Sequence, residues 1–490
     1  MGSEMRVSPF FASARNHVYP LRELKQLRSI EGAQLAGTVV RRELRDPVHG
    51  FIARSDVEQQ LIDSPVFQRL RRIRQLALAS LVYPGALHTR FEHSIGAMYV
   101  AGRIADAVGL EDEEKRLVRL AALLHDVGHG PFSHVSEPIL ETFASVRPAE
   151  PSKQIHEALT KQIILTDKDL ARLLSDYDRE KITKILAGEY GDSLVEGIVS
   201  GPLDADKQDY LLRDSYFCGV KYGLYDLDRL IGTFCTYSDK SDRYLAIKED
   251  GINAPEQFVL AKYYMTAQVY RHKIRSITDL MIDRAIRLGI EEDGIEWLKR
   301  AFTWDGSPEF LEAYKSWTDD RLINEVLSER TPEGYAKRLF SQLAGRRLHK
   351  RVAKVRVAEF ADPLVRNRLA SLTRGQMLAL ERKVGELLSV DPNLVMVRIF
   401  VFDSVREQSR NSESSILVVT EGRRRKFEEG SQLFRSIDEA SKETIIEVYA
   451  PVTYPGARDK AERQREYQSK IRQALERIGG EVLEEGKDEA

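Results

Sequence analysis

Apolar residues recur at intervals of three and four positions over most of the first 345 residues, the spacing typical of amphipathic helices. This spacing predicts helices at 57–82, 93–124, 154–165, 168–188, 192–200, 205–215, 254–288 and 307–345. A polar turn is predicted at 331–334, inside the last of these ranges. Residues 1–40 are mixed and loop-like, with one short helical stretch near 20–32. The pattern therefore predicts a mainly α protein.

The periodicity changes near residue 345. Between positions 352 and 357, three valines alternate with Lys354 and Arg356, which is the pattern of a strand with one buried face. Runs of β-branched and aromatic residues predict further strands at 395–402, 415–420 and 444–450. A charged helix over 457–478 would close this smaller C-terminal α/β region.

These patterns, together with the length of 490 residues, predict more than one domain. The predicted segments are an N-terminal extension at 1–40, a helical core at 41–300, a helical extension at 301–345, a small α/β domain at 346–478 and a disordered tail at 479–490.

Composition excludes several classes of protein. The formal net charge is −2, which implies no general attraction to nucleic acid or to membranes. Cys218 and Cys235 are too few for a disulfide scaffold, and we expect both to be small buried apolar groups in a reducing compartment. We find no apolar run of signal-peptide or membrane-spanning length. A soluble cytoplasmic protein is therefore expected.

Two short segments, HTRFEHS at 88–94 and LLHDVGHGPFSH at 123–134, hold five of the ten histidines. The second contains the adjacent pair His125 and Asp126 at the end of an apolar helix. Neighbouring side chains diverge by about 100° on a regular helix, so both can reach one ion only where the helix ends. Gly128 and Gly130 supply that end. Imidazole and carboxylate suit Mn, Fe, Zn or Mg, which predicts a metal centre for hydrolysis of phosphate esters.

The chain resembles the HD superfamily and, within it, the deoxynucleoside triphosphate triphosphohydrolases. The matching motifs are RDPVHGFI (45–52), DSPVFQRLRRIRQL (63–76), YPGALHTRFEHSIG (83–96), LLHDVGHGPFSH (123–134), DADKQDYLLRDS (204–215) and VYRHK (269–273), which follow one another over about half of the chain. The resemblance implies that the helical core is an HD domain.

The resemblance also implies the set of metal ligands. His93 would join His125 and Asp126, and an aspartate from DADKQD would be the fourth ligand. Asp204 and Asp209 compete for that role, and the spacing in the family selects Asp206.

Three histidines near the metal are candidates for acid, base and positioning roles, because imidazole titrates near neutral pH. They are His129, His134 and His156. We expect His134 to handle the proton of the attacking water or of the leaving group, oriented by Glu137 where the related enzymes usually have Asp. His156 would complete a hydrogen-bonded cluster with these two residues. His88 fits a structural role as well as a functional one.

The resemblance assigns Arg90 to the α-phosphate of the substrate, with Lys207 and Tyr210 nearby. Guanidinium and ammonium groups both bind phosphate oxygens. Gln75 and Asp214 would bind the 3′-hydroxyl of the sugar.

Leu76 and Tyr270 would crowd the 2′ position and exclude ribonucleotides. This chain departs from vertebrate-type relatives at two positions, where Lys262 replaces an arginine and Thr266 replaces a histidine. Lys262 can still meet a phosphate, but Thr266 removes a donor from the pocket.

Regulation is suggested by Asp63 and Arg71, which match family positions that bind guanine nucleotide at a subunit interface. Such a site would imply a GTP or dNTP effector and a homo-oligomer, a dimer or tetramer. Salt bridging along a helix is the plainer alternative. The cationic stretch at 346–356 fits a nucleotide pocket, a nucleic-acid patch or a solvated face, and RRRK at 423–426 is expected in a loop.

The predicted function is metal-dependent hydrolysis of a deoxynucleoside triphosphate to deoxynucleoside and triphosphate. One alternative is an HD phosphodiesterase or phosphatase that acts on another nucleotide or second messenger. A second is a nucleotide-sensing or nucleic-acid-binding protein with a structural metal. A nucleoside pocket requires four residues to converge beside the metal, namely Gln75, Tyr210, Asp214 and Tyr270. A binding protein with a structural metal does not require this arrangement.

Overall fold

The computed structural model describes residues 42–148, 154–240, 242–402, 416–421, 423–440, 443–454 and 456–480. The predicted N-terminal extension and its helix near 20–32 lie outside these residues, as does most of the predicted tail. Where it is described, the chain is mainly helical with a smaller strand-containing C-terminal region, which confirms the predicted fold class. None of the described helices combines the length and apolar character that a membrane crossing requires.

The N-terminal half begins with two short strands, followed by helices. The strands are β1 (Arg42–Asp46) and β2 (Gly50–Arg54). The helices are α1 (Asp56–Asp63), α2 (Pro65–Gln68), α3 (Arg90–Val108), α4 (Asp112–Leu124), α5 (Glu137–Phe143), α6 (Ile155–Thr166), α7 (Lys168–Leu173), α8 (Asp176–Ala187), α9 (Ser193–Ser200), α10 (Ala205–Cys218) and α11 (Leu227–Thr233).

The C-terminal half mixes the two kinds of element. Its helices are α12 (Asn253–Met265), α13 (Lys273–Glu291), α14 (Glu296–Phe302), α15 (Pro308–Tyr314), α16 (Asp319–Leu327), α17 (Tyr335–Ala344), α18 (Pro363–Ala370), α19 (Arg374–Leu388), α20 (Phe427–Gly430), α21 (Gln432–Ala440) and α22 (Ala457–Gly480). Its strands are β3 (Phe234–Asp239), β4 (Asp242–Lys248), β5 (Lys350–Arg356), β6 (Met396–Phe402), β7 (Leu417–Thr420), β8 (Arg423–Lys426) and β9 (Glu443–Ala450).

Several helices predicted as continuous are divided. The range 57–82 holds only α1, α2 and short 3-10 turns, because Ser64 has extended backbone and Pro65 lacks the N–H that would continue α1. Gly109, with φ at 70°, separates α3 from α4. Ser175 caps α8 and separates it from α7. The predicted continuity was therefore wrong at these three breaks.

The predicted helix at 254–288 is also interrupted. A π-type turn over Thr266–Tyr270 follows α12, and the N–H of Arg271 donates to the carbonyl of Thr266 at 3.0 Å. His272 is extended, and its Nδ1 caps α13 by accepting from the N–H of Ile274 at 3.2 Å. The range 307–345 divides into α15, α16 and α17, with the predicted turn before the last of them.

The strands of the C-terminal half form two sheets. One has the order β3-β4-β7-β8, with β4 and β7 parallel and the other two pairs antiparallel. The other is antiparallel, with the order β5-β9-β6. The β3–β4 hairpin had no predicted counterpart, and the loop predicted at 423–426 is strand β8. An exposed edge strand tolerates charged side chains because its backbone supplies the pairing, so RRRK gave no apolar alternation.

The main core forms around α3, which packs against α4 and α10 and is buried over most of its length. A smaller core lies between the β5-β9-β6 sheet and helices α18, α19 and α22. The cationic stretch contributes β5, where Arg351 and Arg356 pair with Glu447 and Glu443 of β9.

Candidate active site

Three element ends bring the predicted metal ligands together. His93 lies in the first turn of α3 and is fully buried. His125 and Asp126 follow the last residue of α4, as the glycine-rich sequence after them predicts. Asp206 lies in the first turn of α10, whose N-terminus is capped by Asp204 accepting from the N–H of Lys207 at 2.8 Å.

The four side chains lie close to one another, and His93, His125 and Asp126 approach closely enough to hold an ion. Asp206 Oδ1 lies 2.9 Å from Nε2 of His93 and 3.6 Å from Nε2 of His125. Asp126 lies 3.3 Å from Nε2 of His125 and 3.7 Å from Nε2 of His93. Donor atoms bound at about 2.1 Å to one ion lie about 3.0 Å apart when the bonds are perpendicular. Both Nε2 atoms are buried without a hydrogen-bond partner, so the residues fit a divalent ion.

The opposite nitrogen of each imidazole is held by a second group. His93 Nδ1 lies 2.8 Å from Oδ2 of Asp209, and His125 Nδ1 lies 2.7 Å from the carbonyl oxygen of Ala122. Such contacts orient metal-binding histidines and leave Nε2 for the ion. Asp209 is itself held by Arg213 at 2.8 and 2.9 Å and by His49 at 2.6 Å. The geometry therefore gives Asp209 a positioning role and Asp204 a capping role.

The electrostatics of this centre favour a cation. Burial opposes the charged form of His93, but the adjacent carboxylates of Asp206 and Asp209 outweigh it and raise its pKa to about 10. Burial likewise opposes ionisation of Asp126, yet Arg90 and His125 hold the pKa of this carboxyl well below its ordinary value. Asp126 is buried and Asp206 is half-buried, and the pKa of each carboxyl is held well below its ordinary value, so the two ionised groups require nearby positive charge, which a proton or a metal ion can supply.

A second cluster is centred on Glu137. Its Oε1 lies 2.7 Å from Nδ1 of His156, 2.9 Å from Nδ1 of His134 and 3.3 Å from Nδ1 of His129. The rings of His129 and His156 stack at 3.9 Å, and His129 Nε2 lies 3.2 Å from Asp126. These four residues also approach one another closely enough to hold an ion.

Exposure and charge separate the three histidines. The side chain of His134 is 58% exposed, whereas those of His129 and His156 are buried. Burial and the positive charge of Arg90 lower the pKa of His129 to about 3, so this ring is neutral at physiological pH. His134 is therefore the histidine of this cluster that is open to solvent.

Cationic side chains lie beside the metal ligands. Arg90 is buried, with Nη1 2.6 Å from Asp126 and Nε donating to the hydroxyl of Ser133 at 2.8 Å. Its Nη2 is buried without a partner. Lys207 donates to Asp204 at 2.5 Å and to the carbonyl of Gly201 at 3.2 Å.

The predicted sugar-binding residues form a connected group. Asp214 accepts from the hydroxyl of Tyr270 at 2.7 Å, and its other oxygen lies 2.7 Å from Nε2 of His88. The N–H of Gln75 donates to the carbonyl of His88 at 3.1 Å, while its side-chain Oε1 is buried without a partner. The Tyr210 ring lies 6.2 Å from Tyr270 and 6.5 Å from His93, and so connects this group to the metal ligands.

The remaining residues predicted to line the substrate pocket are Leu76, Lys262 and Thr266. Leu76 is buried next to Gln75 in the chain. Lys262 is half-buried on α12, and Thr266 is buried at the start of the π-type turn.

The predicted effector residues are exposed and have partners nearby in the chain. Asp63 accepts from Gln59 at 2.5 Å. Arg71 donates to Gln68 at 2.9 Å and lies 3.5 Å from the centre of the Phe91 ring.

Sequence reasoning missed the residues that hold the site from outside. His49 and Arg213 both bind Asp209, and Arg213 also binds Asp46 at 2.8 Å. Two signals were present, the RDPVHGFI motif that contains Asp46 and His49, and the four-residue spacing of Asp209 and Arg213.

Comparisons with known proteins match most of the chain. A model of the HD domain matches residues 90–199, and a model of the HD associated region matches residues 225–467. An uncharacterized protein of Methanocaldococcus jannaschii is 30% identical over 409 residues, which cover 83% of this chain and 79% of that protein.

Relatives with a named activity are more distant. The deoxynucleoside triphosphate triphosphohydrolase SAMHD1 of Danio rerio is 28% identical over 393 residues, 72% of this chain. The match spans 60% of the fish protein's length. The human protein of that name is 27% identical over 354 residues, which cover 64% of this chain and 55% of the human protein.

Two solved structures of similar fold are described by their sources. A hypothetical protein from Aquifex aeolicus matches with a TM-score of 0.64 and 27% identity, covering 87% of this chain and 99% of that one. A phosphohydrolase from Bacteroides thetaiotaomicron matches with a TM-score of 0.65 and 25% identity, covering 84% and 99%.

Proposed function

The chain belongs to the HD superfamily of phosphohydrolases, and on that premise we propose that it hydrolyses deoxynucleoside triphosphates to deoxynucleoside and triphosphate. The named activity of the fish and human relatives supports this substrate class.

The observation that carries the proposal is the group formed by Gln75, Asp214 and Tyr270 beside the metal ligands. Asp214 accepts from Tyr270, and the Oε1 of Gln75 is buried with no partner within the described chain. A buried acceptor without a partner is costly unless a ligand supplies the donor, and a sugar hydroxyl is such a donor. A phosphatase that recognised phosphate alone would not need this group.

His93, His125, Asp126 and Asp206 would hold the divalent ion. When bound, the ion would polarise phosphoryl oxygens and make water more acidic. Its identity, whether Mn, Fe, Zn or Mg, is open, because nitrogen and oxygen ligands accept all four.

Arg90 and Lys207 would bind the phosphates. The unpartnered Nη2 of Arg90 can donate to an oxygen of the α-phosphate, while its Nη1 stays on Asp126. Lys207 Nζ is anchored to Asp204 and supplies a second positive charge. Both charges offset the negative charge that develops on the phosphate oxygens as water attacks the α-phosphorus. Lys262, on α12, is assigned to the same phosphates.

His134 would deliver a proton to the leaving 5′-oxygen as the bond between that oxygen and the α-phosphorus breaks. Glu137 holds Nδ1 of His134, which leaves Nε2 of this exposed ring for the substrate. His156 fixes Glu137 from the other side. His129 stays neutral because of its low pKa, so it carries a single N–H, and we assign that N–H to Nε2, which lies 3.2 Å from Asp126.

The proposal extends to regulation. Asp63 and Arg71 are exposed, as an effector site between subunits requires, and a nucleotide would compete with their present contacts to Gln59 and Gln68. We expect GTP or a dNTP to be the effector and a dimer or tetramer to be the active form. The cellular setting we propose is the cytoplasm.

The test is turnover of each dNTP and each rNTP with Mn or Mg, with and without GTP, in an assay that separates triphosphate, pyrophosphate and phosphate. We expect triphosphate from dNTPs alone, and His125→Ala should abolish both metal binding and turnover. Turnover of a cyclic dinucleotide or a nucleoside monophosphate instead, with no dNTP turnover under any condition, would establish the phosphodiesterase or phosphatase alternative. Retention of activity by His125→Ala would show that the metal site is wrongly assigned.

A further inference from the structure

A cleft of about 620 Å³ extends from His134 between α13, α19 and β6. Its volume lies in the range of small-molecule sites. Because His134 lines the cleft, the cleft is continuous with the cluster that handles the proton in the proposed function. The nucleoside part of the substrate, which lies on the other side of the 5′-oxygen from the phosphates, could therefore enter the cleft.

Most of the charged side chains that line this cleft already have partners. Arg284 donates to Glu381 at 2.6 Å, and Arg287 donates to Asp283 at 2.9 Å. Arg398 donates to the hydroxyl of Ser276 at 2.7 Å.

Arg275 and Asp279 differ from these pairs. The closest approach between them is 3.5 Å, from Nε of Arg275 to Oδ2 of Asp279, which is too long for a good hydrogen bond. Nε and Nη1 of Arg275 and Oδ1 of Asp279 are all buried without a hydrogen-bond partner. Two donors and one acceptor thus lack partners on one turn of α13, at a cost in stability that a bound ligand would remove.

Arg275 and Asp279 lie next to the residue assigned to the sugar of the nucleoside. The guanidinium carbon of Arg275 lies 5.4 Å from the centre of the Tyr270 ring, the residue assigned to the sugar. Burial raises the pKa of the Asp279 carboxyl, and the charges of Arg275, Arg398 and His134 oppose that shift. The pair therefore lies beside the tyrosine assigned to the sugar and lines the same cleft as His134, where a nucleobase would extend.

Resting on the proposed function, we propose that Arg275 and Asp279 read the nucleobase and favour guanine and cytosine over adenine and thymine. Guanine presents N7, O6 and N1–H in sequence along its edge, and cytosine presents O2, N3 and N4–H, so each offers two adjacent acceptors followed by a donor. The two acceptors of the base match the N–H donors of the guanidinium, and the donor of the base matches the neighbouring carboxylate. Adenine and thymine both place their donor between two acceptors and leave one protein group unpaired. Pairing of arginine with O6 and N7 of guanine, and of aspartate with N4 of cytosine, is well established chemistry.

The experiment measures kcat/KM for the four dNTPs in mixtures. We expect wild type to prefer dGTP over dATP and dCTP over dTTP. Asp279→Asn should lower the kcat/KM ratios of dGTP to dATP and of dCTP to dTTP about tenfold. Arg275→Gln should lower them similarly. The matched controls are Asp283→Asn, on the same helix and in the same cleft with its hydrogen bonds complete, and Arg374→Gln at the rim. Both controls should keep the wild-type ratios.

Equilibrium dialysis of deoxyguanosine and deoxyadenosine against wild type and Asp279→Asn separates this inference from the proposed function. If wild type hydrolyses no dNTP, the proposed function fails, and preferential binding of deoxyguanosine that is lost in Asp279→Asn would still support base reading. Equal ratios in wild type and Asp279→Asn would overturn it. So would an equal loss for all four dNTPs and for inorganic triphosphate in Arg275→Gln, because the cleft would then bind phosphate.

Discussion

His93 Nδ1 and Asp209 Oδ2 lie 2.8 Å apart, on the side of the imidazole away from the proposed metal position. The carboxylate fixes the ring and raises its electron density, so that Nε2 is a better ligand. The proposed metal centre would therefore depend on a residue that is not itself one of the proposed ligands.

Asp209→Asn should lower the affinity for Mn about 10- to 100-fold, because the charge that orients His93 is lost. The measurement is isothermal titration calorimetry with Mn, with circular dichroism to show that the variant is folded. Asp204→Asn is the matched control, since asparagine caps a helix about as well as aspartate and position 204 does not contact His93. A folded Asp209→Asn variant that binds Mn like wild type would contradict the positioning role.

Glu137→Gln should lower kcat about 100-fold or more, because the charge that orients His134 and His156 is removed. Glu137→Asp restores the residue usual in the related enzymes but shortens the side chain, and we expect an intermediate loss because three imidazoles are spaced for the longer reach. Steady-state kinetics measures both. Glu141→Gln, exposed and one turn later on α5, is the control and should keep the wild-type kcat. Full activity in Glu137→Gln would remove this residue from the mechanism.

Gly128→Ala should destabilise the protein by about 2 kcal/mol or more. A Cβ at this position would lie 2.3 Å from the carbonyl oxygen of His156 and 2.4 Å from the backbone nitrogen of Thr160, so the loop and α6 would have to separate. Thermal unfolding measures the effect. Gly232→Ala is the control, because nothing lies within 4 Å of its Cβ position and alanine favours the helix. An unchanged Tm for Gly128→Ala would show that the loop accommodates the methyl group.

His349 should make stability depend on pH. It is buried with both ring nitrogens unpartnered, and burial together with the charges of Arg338 and Arg284 lowers its pKa to about 4. A folded-state pKa below the unfolded value of 6.5 means that the unfolded chain takes up the proton first. Stability is therefore fully present above about pH 6.5 and is lost as the pH falls toward 4.

Between pH 7 and pH 5 this effect amounts to about 2 kcal/mol. Urea unfolding at both pH values, for wild type and His349→Leu, measures it. We expect the loss in wild type to exceed that in the leucine variant by this amount. Equal losses in the two proteins would mean that His349 does not titrate as its surroundings indicate.

The proposed metal ligands could be predicted because each lies in a short motif at the end of a helix. The glycines after Asp126 showed where α4 stops. In the structure His93, His125 and Asp126 lie close enough together to hold an ion, and Asp206 lies 2.9 Å from His93, while their role as ligands stays a prediction. The residues behind them could not be derived in the same way. His49 meets Asp209 across 160 positions of chain, and local patterns carry no information about such a contact.

The fold, too, could be predicted only where local sequence patterns determine it. Helices with a clear apolar stripe were predicted, but their breaks at Ser64, Gly109 and Ser175 depend on capping and backbone conformation that the periodicity does not report. Strand β8 could not be recognised from RRRK, because its pairing comes from the backbone of β7.

The π-type turn at Thr266–Tyr270 has a consequence for how sequence changes are tolerated here. Its wider loop contains one residue more than an α-helical turn, and Tyr270, at its end, still reaches Asp214. Deleting a single residue between Met265 and Tyr270 would rotate that hydroxyl by about 100° about the helix axis and carry it off the carboxylate. If the proposed function is correct, discrimination between sugars would depend on a residue count as well as on residue identity, and a deletion that preserves every side chain assigned to the sugar would abolish it.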